Sequence, residues 1–253
     1  MPFWRPNRSD LHQGAYTLSA LEPACVGSGD YHFFMGGVGM AAAIHALQDW
    51  TEKPLLWATI QFISHGMRGD DLTLRLDQIG GGRRIVQTRA QLFRGDELLQ
   101  QMVAALGARE GEQNQQFAKM PNVSAPEDCP PKADDAFQQE GNLIDQFERR
   151  AAREAPESGL EWMWIRPKFQ ADIDASLLSL ISDFFLGAHP RTRRGTSLDN
   201  TFRLYSVVPT DWILSCTEIT GIANGAAHGH QKLFAQDGTL LSISSQTGLL
   251  PRS

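Results

Sequence analysis

The chain has 253 residues, 42% of them hydrophobic and 21% charged, a balance that supports a packed core and excludes a disordered or fibrous protein. That length accommodates one large domain or two of ordinary size. A formal net charge of −6 and a pI of about 5.6 rule out a chain-wide attraction for polyanions, so nucleic acid is not an expected partner.

Residues 1–5, Met-Pro-Phe-Trp-Arg, lack the apolar core of a signal peptide, and no window reaches the roughly 18 apolar residues of a membrane span. A cytoplasmic protein without a membrane partner is expected. From Phe34 a glycine cluster, Gly36-Gly37-Val38-Gly39, runs into alanine-rich sequence as far as about Trp50, which predicts a helix whose small residues admit a closely packed sheet. Strands are predicted over 56–64, 71–79, 84–94 and 97–106, with turns at Gly80-Gly81-Gly82 and Arg94-Gly95-Asp96. Leu72, Leu74 and Leu76 alternate with Thr73, Arg75 and Asp77, as in a strand with one buried face.

Residues 107–131 turn polar and proline-rich, from Gln113-Asn114-Gln115-Gln116 to Pro130-Pro131, and read as a linker. Beyond it the pattern restarts. Strands are predicted over 143–148 and 160–168, a helix over 173–186 ending at Gly187, and strands over 197–205, 211–219, 223–234 and 239–249. Phe62, Asp71 and Ile79 have counterparts 140 residues later in Phe202, Asp211 and Ile219, and Phe93 has one 141 later in Phe234, which indicates an internal duplication. The expected architecture is α+β, a double hotdog: two tandem units, each a long central helix wrapped by an antiparallel sheet. The units are placed at 1–110 and 136–253, with 111–135 as the linker.

Cys25, Cys129 and Cys216 are widely spaced and odd in number, which suggests neither a disulfide framework nor a zinc site. His228 and His230 share one strand face without a third ligand nearby, so no metal is expected, and no G-x-S-x-G elbow or phosphate-binding loop occurs. An anionic ligand would need a local basic patch; Arg83, Arg84, Arg89 and Arg94, or Arg191, Arg193 and Arg194, could form one, and are otherwise solvated surface.

Three segments, Ser182-Asp183-Phe184-Phe185-Leu186, Thr196-Ser197-Leu198-Asp199-Asn200-Thr201-Phe202 and Ser245-Gln246-Thr247-Gly248, resemble the acyl-CoA thioesterase II family in order and spacing. Gly36-Gly37 is similar to that family's first-half signature. The resemblance spans residues 30–250 and implies the double hotdog, hydrolysis of a fatty acyl-CoA to free acid and CoA, and no cofactor. It also implies that an aspartate, a hydroxyl and a glutamine hold the attacking water, which here become Asp183, Ser197 and Gln246. Serine stands where the family has threonine, with Thr196 adjacent as the alternative, and Asn200 and Thr201 replace a frequent histidine and serine, with consequences for the pocket wall.

These residue types suit the chemistry. Burial among Leu177 to Leu186 would raise the pKa of Asp183 and make it a better base for water. Gln246 can donate and accept without changing charge. Backbone N–H groups of Gly36, Gly37 and Val38 at a helix start would bind substrate as oxyanion donors facing Asp183 from the other half. Read without the resemblance, Asp183 reads first as the solvent face of an amphipathic helix and Gln246 as a surface residue. Two other functions remain open: a hydratase or dehydratase using Asp183 with His189, and a non-catalytic acyl-CoA-binding module. The expected partners are the acyl-CoA substrate and further copies of the chain in a homo-oligomer.

Overall fold

In the computed structural model, residues 2–10, 13–28, 31–108, 114–132 and 139–251 are described. Short strands β1 (Asn7–Arg8), β2 (Ala15–Ser19), β3 (Cys25–Ser28) and β4 (Tyr31–Phe34) lead into α1 (Gly36–Thr51). Then come β5 (Leu55–Phe62), β6 (Asp71–Gly81), β7 (Ile85–Arg94) and β8 (Glu97–Gly107). The second half has β9 (Phe147–Ala155), β10 (Leu160–Pro167), α2 (Ala175–Ser182), β11 (Thr196–Leu204), β12 (Ile213–Ala223), β13 (Ala226–Ala235) and β14 (Leu240–Leu249).

All strands except the β3–β4 pair form one antiparallel sheet of 12 strands. Its middle is the pairing of β5 with β11, where Thr59 lies opposite Thr201 and Ile60 opposite Asn200. Outward from that seam the order is β5, β8, β7, β6, β2, β1 on one side and β11, β14, β13, β12, β10, β9 on the other. The two halves repeat one connectivity, as the recurring landmarks lead one to expect. Joining them edge to edge also covers two strand edges that would otherwise present unpaired N–H and C=O groups.

The helices α1 and α2 pack on each other, α1 against β5, β7 and β8 and α2 against β11, β13 and β14. Ala41, Ala42, Ala43 and Ala46 keep α1 thin enough to lie against β5, β7 and β8, while Ile44 and Leu47 fill the space between. Phe202, Leu72, Leu74 and Leu92 are almost wholly inaccessible; each such side chain contributes roughly 1.5–3 kcal/mol by burial.

Four expectations need correction. No element was expected before residue 34, yet β1–β4 are formed, and β2 extends the sheet by pairing with β6. Residues 144–146 are a single 3-10 turn instead of a strand, because Gly141 and Asp145 donate backbone N–H groups to the Asp145 and Asn142 side chains, and Gln146 bonds the carbonyls of 141 and 142. The second helix is short: α2 stops at Ser182 and the chain tightens into a 3-10 segment, Asp183–Ala188. Finally, residues 111–113 and 133–135 of the expected linker lie outside the described residues, and the part between them is not a free connector. Ala118, Met120 and Val123 pack on the outer face of the second half around Trp164, Trp212 and Phe234, and the Trp164 indole donates to the Ser124 carbonyl at 3.0 Å.

Candidate active site

Asp183 sits where α2 gives way to the 3-10 segment, at 3% exposure. The start of α1, from the other half of the chain, meets it. The Gly37 N–H donates to Asp183 Oδ2 at 2.6 Å, so one of the four N–H groups that a helix cannot satisfy internally is spent on the carboxylate. Only glycine permits this approach: a Cβ on Gly37 would lie 2.6 Å from Asp183 Cβ, and one on Gly36 would lie 2.7 Å from the Phe62 ring.

Asp183 Oδ1 accepts from Gln246 Nε2 at 2.8 Å, and the same nitrogen donates to Ser197 Oγ at 2.7 Å. The three side chains singled out in the sequence thus converge. A β-bulge makes it possible: Ser197 pairs with Gly248 but Asp199 with Thr247, so one extra residue is inserted at Leu198. Strict alternation from the buried Phe202 and Asn200 would send Thr196 inward and Ser197 outward; the bulge reverses this. Thr196 also lines the cavity but is exposed, while Ser197 makes the bond.

Burial pushes the Asp183 carboxyl up to about 7, against the lowering effect of its bonds from Gln246, Gly37 and Ser197. Asn200, directly across from Gln246 in the β11–β14 register, is fully buried and was read only as pocket wall. Its Nδ2 lies 3.4 Å from Gln246 Oε1 and 3.0 Å from Ser182 Oγ. A polar residue at an inward strand position was the available signal for it.

Asp183, Ser197 and Gly36 open on a cavity of about 540 Å³ at the junction of the halves. Its walls include Phe33, Phe34, Phe62, Leu99, Met163 and Phe184, and its polar side carries Arg193 and Arg194. Lys132 also lines it and is paired there with Glu161. Of the two basic patches considered, Arg83, Arg84, Arg89 and Arg94 do not line the cavity; Arg89 and Arg94 instead pair with Asp77, Asp70 and Glu97.

The three expected substrate donors divide. The Gly37 N–H is committed to Asp183, and Val38, wholly buried and away from the cavity, gives its N–H to the Met35 carbonyl at 3.0 Å. Gly36 alone lines the cavity. His189 does not join Asp183: its Nδ1 accepts from the Arg191 N–H and its Nε2 faces the Pro156 carbonyl, so the hydratase-like pair is not assembled. Among the described residues no group of three or more His, Cys, Asp or Glu side chains could hold a metal ion, and no helix is long and apolar enough to cross a membrane.

No curated protein matches the sequence. Residues 126–250 match the family described as the acyl-CoA thioesterase C-terminal domain. Over those residues, just under half of its length, the chain is similar to the acyl-CoA thioesterases. It is a thioester hydrolase. Among solved structures, a protein of Novosphingobium aromaticivorans provisionally named a thioesterase is 29% identical over 100% of both chains, with a TM-score of 0.92. The tesB protein of Mycobacterium avium subspecies paratuberculosis is 18% identical with a TM-score of 0.83, over 99% of this chain and 97% of that one. An acyl-CoA thioesterase II from Mycobacterium marinum has the same identity, 18%, and the same coverages, 99% and 97%, with a TM-score of 0.79. These likenesses give the fold, that of the hotdog thioesterases.

Two outcomes follow for this thioesterase. Gly37→Ala gains helix propensity worth up to about 1 kcal/mol, but the overpacking against Asp183 costs about 1–3 kcal/mol and displaces the carboxylate. Thermal denaturation is expected to show net destabilisation, with turnover down by roughly 10²-fold. The second concerns pH. An unfolded aspartate titrates near 3.9, whereas Asp183 holds its proton to about 7. Between those values the folded state binds the extra proton, so this group's contribution to stability is complete below the lower value and is lost as pH rises through the upper. Urea midpoints between pH 5 and 8 should therefore fall more steeply for the wild type than for Asp183→Asn.

Proposed function

We propose that the chain hydrolyses acyl-CoA thioesters by direct attack of water, with Asp183 as general base. The single observation that supports this best is a buried carboxylate, its pKa pushed up to about 7, held beside a hydroxyl and an amide at the wall of a largely apolar cavity. A base titrating near the working pH combines a useful deprotonated fraction with real affinity for the proton. Carboxylates that serve only as surface charge have no such environment.

In the proposed reaction, water lies against Asp183 and Ser197 and attacks the thioester carbonyl carbon while Asp183 takes its proton. The resulting oxyanion faces the start of α1, where the Gly36 N–H and the helix dipole favour negative charge. Collapse breaks the C–S bond, and the proton on Asp183 passes to the departing thiolate, which leaves free acid, the CoA thiol and the original carboxylate. No covalent enzyme intermediate is needed. The acyl chain would pack on Phe33, Phe34, Phe62 and Leu99, and Arg193 and Arg194 would meet phosphates of the CoA portion at the cavity's polar side.

The test is release of free thiol from a series of acyl-CoAs of different chain length, followed with a thiol-reactive dye. Asp183→Asn is expected to lower kcat by roughly 10²- to 10⁴-fold. In the wild type kcat should fall about tenfold per pH unit on the acid side of about 7, because only the ionised Asp183 can accept a proton. If no chain length gives thiol faster than the Asp183→Asn protein, the reading is wrong.

A further inference from the structure

We infer that Asn200, anchored by Ser182, is a positioning residue that sets which end of the Gln246 amide faces Asp183. The inference rests on the proposed role of Asp183 and Gln246 in hydrolysis, but its geometric basis is independent of any substrate.

A primary amide has a donor end and an acceptor end of nearly the same shape, so nothing in Gln246 itself decides which points at the carboxylate. In the observed orientation both N–H groups are used, one on Asp183 Oδ1 at 2.8 Å and one on Ser197 Oγ at 2.7 Å. The Oε1 end therefore needs a donor behind it. Asn200 Nδ2 is that donor, 3.4 Å away, on the neighbouring strand and in direct register.

The orientation of Asn200 is fixed in turn. Its other N–H goes to Ser182 Oγ at 3.0 Å, and the Ser182 hydroxyl proton is committed to the Ser179 carbonyl at 2.7 Å. Ser182 can thus only accept from Asn200. A backbone carbonyl cannot exchange its acceptor for a donor, so polarity is anchored there and passes outward through Ser182, Asn200 and Gln246 to Asp183. Every side chain in this relay is buried: Ser182 and Asn200 at 0% exposure and Gln246 at 3%.

One further detail fits this reading. Asn200 Oδ1 is buried without a hydrogen-bond partner among the described residues, an arrangement that native proteins rarely tolerate. Rotating the amide would not relieve it, because Oδ1 would then face the oxygens of Ser182 and Gln246. The unsatisfied acceptor is the cost of directing both N–H groups forward.

If Asn200 loses its donor, Gln246 can rotate, and its Oε1 then opposes Asp183 Oδ1. The carboxylate loses a hydrogen bond and gains a repulsive neighbour, both of which favour its protonated form. The groups that α1, β11 and β14 present to Asp183 are Gly37, Ser197 and Gln246, and no charged side chain contributes to its pKa shift.

The experiment compares the wild type with Asn200→Leu, close in shape but without a donor, and with Asn200→His, which keeps an N–H. Asp183 titration is followed by carboxyl-carbon NMR and hydrolysis by thiol release. Asn200→Leu is expected to move the Asp183 midpoint upward and to lower kcat by roughly 10- to 10²-fold with KM within about twofold, and Asn200→His to restore part of both. A purely structural residue would leave the midpoint in place. Should Asn200→Leu fail to fold, Ser182→Ala, which frees the anchor, is read by the same two measurements. An unchanged midpoint and kcat overturn the inference while Asp183→Asn still tests hydrolysis separately; a wild type without thioesterase activity overturns the functional reading, and the midpoint alone then decides the role of Asn200.

Discussion

One contact, between residues 146 positions apart, organises this protein: the Gly37 N–H at the head of α1 against the Asp183 carboxylate at the end of α2, 2.6 Å apart. It can form only if two helices from different halves meet end to side with no side chain between them, which is why the approaching residues are glycines. It also requires the halves to be held as one body. The continuous ladder through β5 and β11 does that, and the shared core running from Ile44 and Leu47 of α1 to Leu178 and Ile181 of α2 keeps the helices in place.

The contact does not make the carboxylate comfortable. A helix N-terminus favours a negative charge by about 0.3–1 kcal/mol, up to ~2 in buried settings, and hydrogen bonds to a carboxylate lower its pKa. Asp183 has three such influences and still titrates at about 7, so desolvation outweighs them together. Fewer donors would hold the group protonated at neutral pH, and more would hold its charge so well that it would not bind a proton there.

The sequence displayed the architecture better than it displayed the site's local geometry. The α1 helix and β5–β8 were legible because alanine-rich helix and alternating strand are strong, local patterns, and the repeat of Phe62 and Asp71 at Phe202 and Asp211 exposed the second half. Residues 144–146 were misread because three apolar and polar residues in a row do not show whether their N–H groups will be met by a strand or by the side chains of Asn142 and Asp145. The choice between Thr196 and Ser197 could not be made from alternation at all. A bulge at Leu198 adds one residue to the strand, and no residue type there announces it. Asn200 was visible as an oddity, but its partner Ser182 lies on a different element, and only the fold brings their polar atoms within 3.0 Å.

The repeated connectivity makes it possible to ask what the first half has where the second has its polar network. Across the seam Ile60 lies opposite Asn200, and within the first half Ile60 pairs with Met102 as Asn200 pairs with Gln246. Counting back by the same 140-residue interval that separates Phe62 from Phe202, Asp183 falls on Ala43, in the middle of α1. The first half has Ile60 and Met102 at these positions, each 1% exposed, and a buried Ala43 in a helix of 16 residues, while the second has hydrogen-bonding groups at all three and a helix of 8 residues. Apolar pairs of that size stabilise by burial without any demand on geometry, whereas the polar set needs each donor matched to an acceptor and leaves Asn200 Oδ1 unmatched. One half thus supplies a bare helix terminus, and the other the buried polar groups. The buried carboxylate and the bare helix terminus meet at the junction because they come from different halves; the first-half positions that correspond to Asn200 and Gln246 hold Ile60 and Met102.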